Sequence, residues 1–355
     1  MRSLIGLTVC SWDTASLEPA AHASALAAAR SHSGAAIIET CQRVEAVSLE
    51  PCVADCPQSQ HGEVAFRYLV RLAAGLESIV LGESEIVGQV REAARVAPPE
   101  LAALLGRAIA TARAFRRQQE FRTDSGNLFD LTLSKTGRSP EHVMIIGSGP
   151  TARCLVRRVR RDRLPVTIVS RRMPDWITDL QAPWISLESI ERATPTSLAM
   201  VCLGGDATAL SAERVPAAVL VDLSTPRRTP ADASIVTLRD LRTHAFEAEA
   251  ERRAELLAAL ECEADRALAA WASDGSSPVG RFRQSAELIR REETQRLARR
   301  HPEIPAETLE AITRRLLNRL LHAPSMRMRQ LDEVDSALVA GIFEHEPGRT
   351  RRWPE

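Results

Sequence analysis

Val143-Met144-Ile145-Ile146-Gly147-Ser148-Gly149-Pro150-Thr151-Ala152 passes from an unbroken apolar run, through a glycine turn, into a helical pattern that reaches Arg161. Four apolar residues in a row read as a strand buried on both faces, as in a parallel sheet. Gly147-x-Gly149-x-x-Ala152 is a short dinucleotide fingerprint. The first glycine permits the tight turn, the second lets backbone approach a pyrophosphate, and the small third residue lets helix and strand pack closely. Gly147, Ser148, Gly149, Pro150, Thr151 and Ala152 are therefore the candidate phosphate cradle.

The next strand, Val166-Thr167-Ile168-Val169, ends in Ser170-Arg171-Arg172. An acidic residue there would accept the ribose hydroxyl of NAD, whereas arginine suits a 2′-phosphate. NADPH is the expected cofactor, with Ser170, Arg171 and Arg172 on its ribose. Further apolar runs at Leu198–Leu203 and Ala218–Leu223 complete an alternating β/α pattern. Such alternation means a parallel sheet.

Upstream, short strands and helices mix. Strands are expected over Ser3–Val9, Ala35–Ile38 and Val44–Leu49, and helices over Pro19–Ser31, Glu63–Gly75, Glu83–Val96 and Leu101–Arg117. Glu50–Gly62, with two prolines, reads as a loop. Cys41, in Glu39-Thr40-Cys41-Gln42-Arg43-Val44-Glu45, closes the second strand. A thiolate attacks carbonyls, and a guanidinium two residues on is expected to lower its pKa. Downstream of Phe246 no sheet is expected, only long charged helices over Glu247–Ala270, Phe282–Arg300 and Pro305–Leu321. Their apolar stripes, Leu256, Leu257 and Leu260, then Leu316, Leu317, Leu320 and Leu321, need a partner surface, which a second copy would supply.

Composition narrows the field. The 355 residues suffice for two or three cores. Net charge is zero and the pI is about 7.1. No global field draws nucleic acid or membrane, so a nucleic-acid partner would need local arginine patches. Arg107, Arg113, Arg116, Arg117 and Arg122 form one basic stretch, and Arg157, Arg158, Arg160 and Arg161 another. Lys135 is the single lysine, which excludes a Walker-type phosphate loop. The seven cysteines are scattered and lack a CxxC pair. That suits a reducing cytoplasm, with neither a metal site nor a disulfide framework. No signal peptide or membrane-length apolar run is visible.

Three segments together resemble the glutamyl-tRNA reductase family. They are Thr40-Cys41-Gln42-Arg43-Val44-Glu45, the stretch from Ala74-Gly75-Leu76-Glu77-Ser78 through Leu81-Gly82-Glu83-Ser84-Glu85 to Gln89-Val90, and Ile312-Thr313-Arg314-Arg315-Leu316 through Pro324. Arg122-Thr123-Asp124-Ser125-Gly126 also resembles a family segment. The resemblance implies an α/β multidomain chain. An α+β catalytic domain would occupy 1–138, a Rossmann-type NADPH domain 139–240, and an all-α dimerisation domain on a long spinal helix 241–355. It implies a V-shaped homodimer and an aminoacyl-tRNA partner, glutamyl-tRNA. It also implies a thioester on Cys41 that is reduced to glutamate-1-semialdehyde for tetrapyrrole synthesis, a product that a downstream aminotransferase would take. Thr40 and Arg43 match substrate-holding positions, with Arg43 on the side-chain carboxylate. Ser78, Glu83, Glu85 and Gln89 fall on the same substrate side.

Departures cluster near this site. Gln42 replaces an asparagine. Tyr68 stands where the family has a histidine with a role in the reaction. Glu85 replaces a glutamine, and Thr8-Val9-Cys10-Ser11-Trp12 replaces the usual histidine-lysine-threonine-alanine-proline stretch. Tyrosine exchanges no proton near pH 7 unless perturbed. Two alternatives follow: a paralogous reductase with a different aminoacyl specificity, or a non-catalytic tRNA- or haem-binding regulator. Cys56-Pro57 is a pair of the kind linked to haem sensing.

Overall fold

The computed structural model describes residues 4, 6–51, 56–121, 125–180, 182–204, 209–274 and 278–328. Cys52, one of the seven cysteines, and Arg122–Asp124 lie outside the described residues. The chain divides into two compact units, Leu4–Asp265 and a second made of residues 1–3 with 266–355. Both sheets belong to the first.

The first sheet is antiparallel, in the order β2-β3-β1-β4, with β1 at Thr8–Asp13, β2 at Ala36–Glu39, β3 at Arg43–Ser48 and β4 at Gln58–His61. Two expectations are corrected. The first strand lies later than Ser3–Val9, and part of the expected Glu50–Gly62 loop is β4. Gln58–His61 has no apolar alternation; its pairing with β1 makes it a strand. α1 (Pro19–Arg30), α2 (Gly62–Ala74), α3 (Glu85–Val96) and α4 (Pro99–Gln118) accompany this sheet. Gly75 ends α2 in the left-handed region at φ 79°, where glycine carries no steric cost.

The second sheet is parallel. It comprises β5 (Val143–Ile146), β6 (Val166–Ser170), β7 (Trp184–Ser186), β8 (Leu198–Val201), β9 (Leu220–Asp222) and β10 (Val236–Thr237). Its order is β10-β9-β8-β5-β6-β7, so the chain leaves β5 toward β6 and returns to β8 on the other side. That reversal opens a crevice beyond the carboxyl end of β5, the usual ligand position in such sheets. α5 (Leu128–Thr136), α6 (Pro150–Arg161), α7 (Ile177–Leu180) and α8 (Leu238–Ala248) join it. Val143, Ile145, Leu155, Val156 and Val159 are fully buried where α6 meets the sheet.

α9 (Ala250–Asp274) starts in this unit. Leu256 and Leu260 are buried within the chain at 7% and 0% exposure, so they are not free to face a second copy as expected. Arg253 is buried and donates to the carbonyls of Leu76 and Ile79 at 2.9 Å each. No described helix is long and apolar enough to cross a membrane.

In the second unit, α10 (Pro278–Arg300) and α11 (Ala306–Met328) form a hairpin. Phe282, Ala286, Leu321 and Met328 make its small apolar core. Arg290 is buried beside it, donating to both carboxylate oxygens of Glu287 (2.8 and 2.9 Å), to both of Glu310 (2.7 and 2.9 Å) and to Thr313 Oγ1 (3.0 Å). Ile312, Leu316 and Leu320 form an exposed stripe four residues apart on α11.

Candidate functional site

The link between β2 and β3 is three residues long, and Thr40 staples it. Its hydroxyl accepts from the amides of Gln42 and Arg43 at 3.1 Å, and its own amide donates to the Arg43 carbonyl at 3.0 Å. Threonine suits this because its hydroxyl satisfies turn amides that no ladder reaches. Cys41 sits at the tip, half-buried, against the apolar core of the parallel sheet. It lines a cleft of about 960 Å³. The same cleft is lined by Gly147–Thr151, by Ser170, Arg171 and Arg172, by Gln89, and by Cys202 and Thr225. The thiol and the dinucleotide fingerprint thus open into one space, although over a hundred residues part them.

Gly147 has φ +142°, and a Cβ there would lie 2.4 Å from the Cys202 carbonyl oxygen. A Cβ on Gly149 would meet nothing within 4 Å, so the loop backbone faces open space. Gly149 is also the N-cap of α6, and no side chain caps that end. Its free amides and dipole favour an anion such as a pyrophosphate. Ala152 is fully buried against the sheet and serves packing, not the cleft. Ser170 is buried; its hydroxyl donates to the Arg172 carbonyl at 2.7 Å and accepts from Trp184 Nε1 at 2.9 Å. Arg171 and Arg172 are exposed at the cleft edge. Trp176 Nε1 donates to the Ser148 carbonyl at 3.1 Å, a brace that periodicity does not reveal.

The thiol itself departs from expectation. Burial pushes the Cys41 pKa up to about 12; Glu83 and, more weakly, Glu85 add to the rise, and a hydrogen bond from Gln42 only partly opposes it. Arg43 does not lower it. Its guanidinium lines a separate pocket of about 460 Å³ that does not include Cys41. There Arg43 donates to Tyr68 Oη at 3.0 Å and to the Glu77 carbonyl at 2.7 Å, and it lies 3.7 Å from the Glu77 carboxylate. Tyr68 and Ser11 each donate to the buried Glu45. Burial raises Glu45 to about 7 against the pull of these donors and of Arg43. Burial and Glu45 together push the Tyr68 phenol above its ordinary value.

Among the other expected substrate residues, Gln89 reaches the cleft and Ser78 is buried. Glu85 accepts from Ser125 Oγ at 3.2 Å through one oxygen, and its other oxygen is buried with no hydrogen-bond donor among the described residues. Arg116 and Arg158 are drawn out of the basic stretches by internal contacts. Arg116 donates to the carbonyls of Ala74 and Glu83 at 2.9 Å, and Arg158 bonds Asp130 at 2.6 and 3.0 Å. Cys10 is disulfide-bonded, against the expectation of reduced cysteines throughout, whereas Cys41, Cys56, Cys154, Cys202 and Cys262 carry no disulfide.

The loop after β9 was not legible in the sequence. Asp222, an acidic residue inside the apolar run Ala218–Leu223, was the available signal. It is buried and accepts from the amides of Ser224 (2.8 Å), Arg228 (2.9 Å) and Thr229 (2.8 Å), and from Thr229 Oγ1 (2.8 Å). Ser224 Oγ accepts from the Leu203 amide at 3.0 Å. Thr225 Oγ1 donates to the Cys41 carbonyl at 2.7 Å.

Comparison with known proteins agrees with this geometry. Residues 7–119 match the model of the glutamyl-tRNA reductase N-terminal domain, and residues 272–344 match that of its dimerisation domain. The chain is 30% identical to glutamyl-tRNA reductase 2 of Anaeromyxobacter sp. (strain Fw109-5), over 83% of this chain and 82% of that protein. It is 29% identical to glutamyl-tRNA reductase of Roseiflexus sp. (strain RS-1), over 79% and 75%. Among solved structures, glutamyl-tRNA reductase from Methanopyrus kandleri aligns over 96% of this chain and 98% of that one, at 20% identity and a TM-score of 0.37. With a thiol and a dinucleotide cradle in one cleft, matches at both ends, and a relative at 30% identity across most of its length, the chain belongs to the glutamyl-tRNA reductase family.

Proposed function

We propose that the chain reduces glutamyl-tRNA to glutamate-1-semialdehyde with NADPH, through a thioester on Cys41, as the first step of tetrapyrrole synthesis. One observation carries this reading: Cys41 and the Gly147–Thr151 loop line the same cleft. Cys41 Sγ, as thiolate, adds to the ester carbonyl of the aminoacyl-tRNA. The C–O bond to the terminal ribose breaks, the ribose oxygen takes a proton, and a C–S bond remains. Gly147–Thr151 would hold a reduced nicotinamide cofactor, with Arg171 and Arg172 toward its ribose phosphate; when bound, that group would supply the hydride that takes a thioester to an aldehyde and frees the thiolate.

The chain's own groups govern the first step. A thiol held up at about 12 by burial and by Glu83 and Glu85 is a poor nucleophile. The ammonium group of an aminoacyl ester, brought beside those carboxylates, offsets their field and favours the thiolate. Thr40 holds the turn that presents Cys41, and Gln89 reaches the acyl group from α3. In this reading the catalytic domain spans 1–138, followed by the NADPH domain over 139–240 and the spinal and dimerisation region over 241–355. The chain works in the cytoplasm as a homodimer, with Ile312, Leu316 and Leu320 against the second copy, and hands its aldehyde to an aminotransferase. Light scattering that gives a monomer at micromolar concentration would contradict the dimer.

A second reading, a paralogue with another aminoacyl specificity, is favoured by Arg43. Its guanidinium is already engaged by Tyr68 and Glu77, where a glutamate side chain would need it. Incubation with NADPH and a panel of charged tRNAs, with the aldehyde identified by mass spectrometry, tests both. Glutamate-1-semialdehyde as main product supports the first reading; a different aldehyde supports the second; no aldehyde from any tRNA refutes both.

A further inference from the structure

We infer that Thr225 is a positioning residue that ties the nucleophile's backbone to the cofactor sheet; this rests on the reading of Cys41 as nucleophile. The hydroxyl of Thr225 donates to the carbonyl oxygen of Cys41 at 2.7 Å, across 184 positions of sequence. Cys41 lies in the β2–β3 turn, outside the strand ladders, so its placement depends on what holds the turn. Thr40 fixes the turn internally. Thr225 fixes it to the opposite wall.

That wall is rigid. Asp222 gathers three backbone amides and one hydroxyl from Ser224, Arg228 and Thr229, which leaves the loop little freedom. Ser224 anchors the loop to the residue following β8 and Cys202 through the Leu203 amide. Arg227 extends the attachment, donating its amide to the Leu17 carbonyl at 2.8 Å and its guanidinium to Glu18 at 2.9 Å. Leu223, Ser224 and Thr225 line the cleft beside Gly147 and Cys41. The Thr225 hydroxyl thereby couples movement of the parallel sheet to the carbonyl of the nucleophile. The two chemical steps place different demands on this link. Attack on an ester needs an exposed thiolate, whereas reduction needs the acyl carbon at a fixed place over the cofactor, and a misplacement of about 1 Å can cost roughly a hundredfold.

The test is the fate of the acyl group on the full-length enzyme, given glutamyl-tRNA and NADPH in single turnover. Cys41-bound acyl is followed by mass spectrometry, aldehyde and free amino acid by chromatography. Thr225→Val removes the hydroxyl and keeps the shape; Thr225→Ser keeps the hydroxyl. In Thr225→Val the partition between reduction and hydrolysis should shift toward hydrolysis by about tenfold, with NADPH affinity retained, and Thr225→Ser should restore it. An unchanged partition in Thr225→Val overturns the inference, including the case in which acylation and reduction fall together, which marks a structural role. So does a Thr225→Ser variant that behaves like valine. Absence of acyl-Cys41 in the wild-type enzyme would instead overturn the nucleophile reading and remove the inference with it.

Discussion

Two pockets share the motif Thr40–Glu45, and they are built on opposite plans. In the larger, the walls are open backbone: a glycine loop, an uncapped helix end, and two exposed arginines. In the smaller, charged groups answer one another. Arg43 meets Tyr68 and Glu77, Tyr68 and Ser11 meet Glu45, and Arg242 meets Asp13 at 2.5 and 3.1 Å. Open amides invite a ligand, and a satisfied network resists one. One residue lies between Cys41 and Arg43, yet the turn sends the first to the larger cleft and the strand sends the second into the smaller pocket. Adjacency in sequence therefore did not make them catalytic partners.

The strongest way to break this contrast is Cys41→Ser. Acylation and reduction should fall by at least about a thousandfold while NADPH binding persists, measured by single-turnover assay and by fluorescence titration of the cofactor. Reduction at the wild-type rate would remove the open pocket from the chemistry. The next effect is on the rim of that pocket. Replacing Arg171 and Arg172 with alanine should weaken NADPH by about ten- to a hundredfold and NADH far less, since charge-assisted bonds to a phosphate are lost. Equal losses for both cofactors would show that the arginines read no phosphate.

The closed pocket gives a pH signature. Glu45 has its folded pKa raised to about 7, above its ordinary value of 4.5. The folded state therefore holds this proton more tightly than the unfolded chain. That contribution to stability is full below about pH 4.5 and is lost as pH rises through about 7. Glu45→Gln mimics the protonated group, so the stability difference between wild type and variant should move against wild type by about 2 kcal/mol between pH 5 and pH 8. Thermal melts at both pH values measure it, and a constant difference would mean that Glu45 keeps one protonation state throughout.

The smallest effect returns to the thiol. Glu85 is the weaker of two carboxylates that raise Cys41, so Glu85→Gln should lower its pKa by a fraction of a unit. The pH profile of Cys41 alkylation reads this directly. No movement would place the Glu85 charge outside the thiol's field.

What the sequence revealed follows a physical rule. β5, its glycine loop and α6 were legible because apolar runs, glycine conformation and helical spacing are local. Cys41 at a strand end was legible for the same reason. β4 was not, since Gln58–His61 carries no apolar pattern and exists only by pairing with β1. Nor were Arg43's true partners, because Tyr68 and Glu77 lie 25 and 34 positions away. Leu256 and Leu260 read as an interface stripe because periodicity reports an apolar face without saying whose surface covers it. Thr225, 184 positions from Cys41, left no local trace at all.

The buried guanidinium of Arg290 has a consequence for assembly. Its acceptors come from α10 at Glu287 and from α11 at Glu310 and Thr313. Sliding one helix along the other by a single turn, about 5.4 Å, would part the Arg290 guanidinium from Glu310 and Thr313 on the facing helix. Stranding a buried charge costs several kcal/mol, more than a shift of apolar contacts would recover. The hairpin therefore admits one alignment, and the exposed Ile312, Leu316 and Leu320 stripe keeps a single register on its surface.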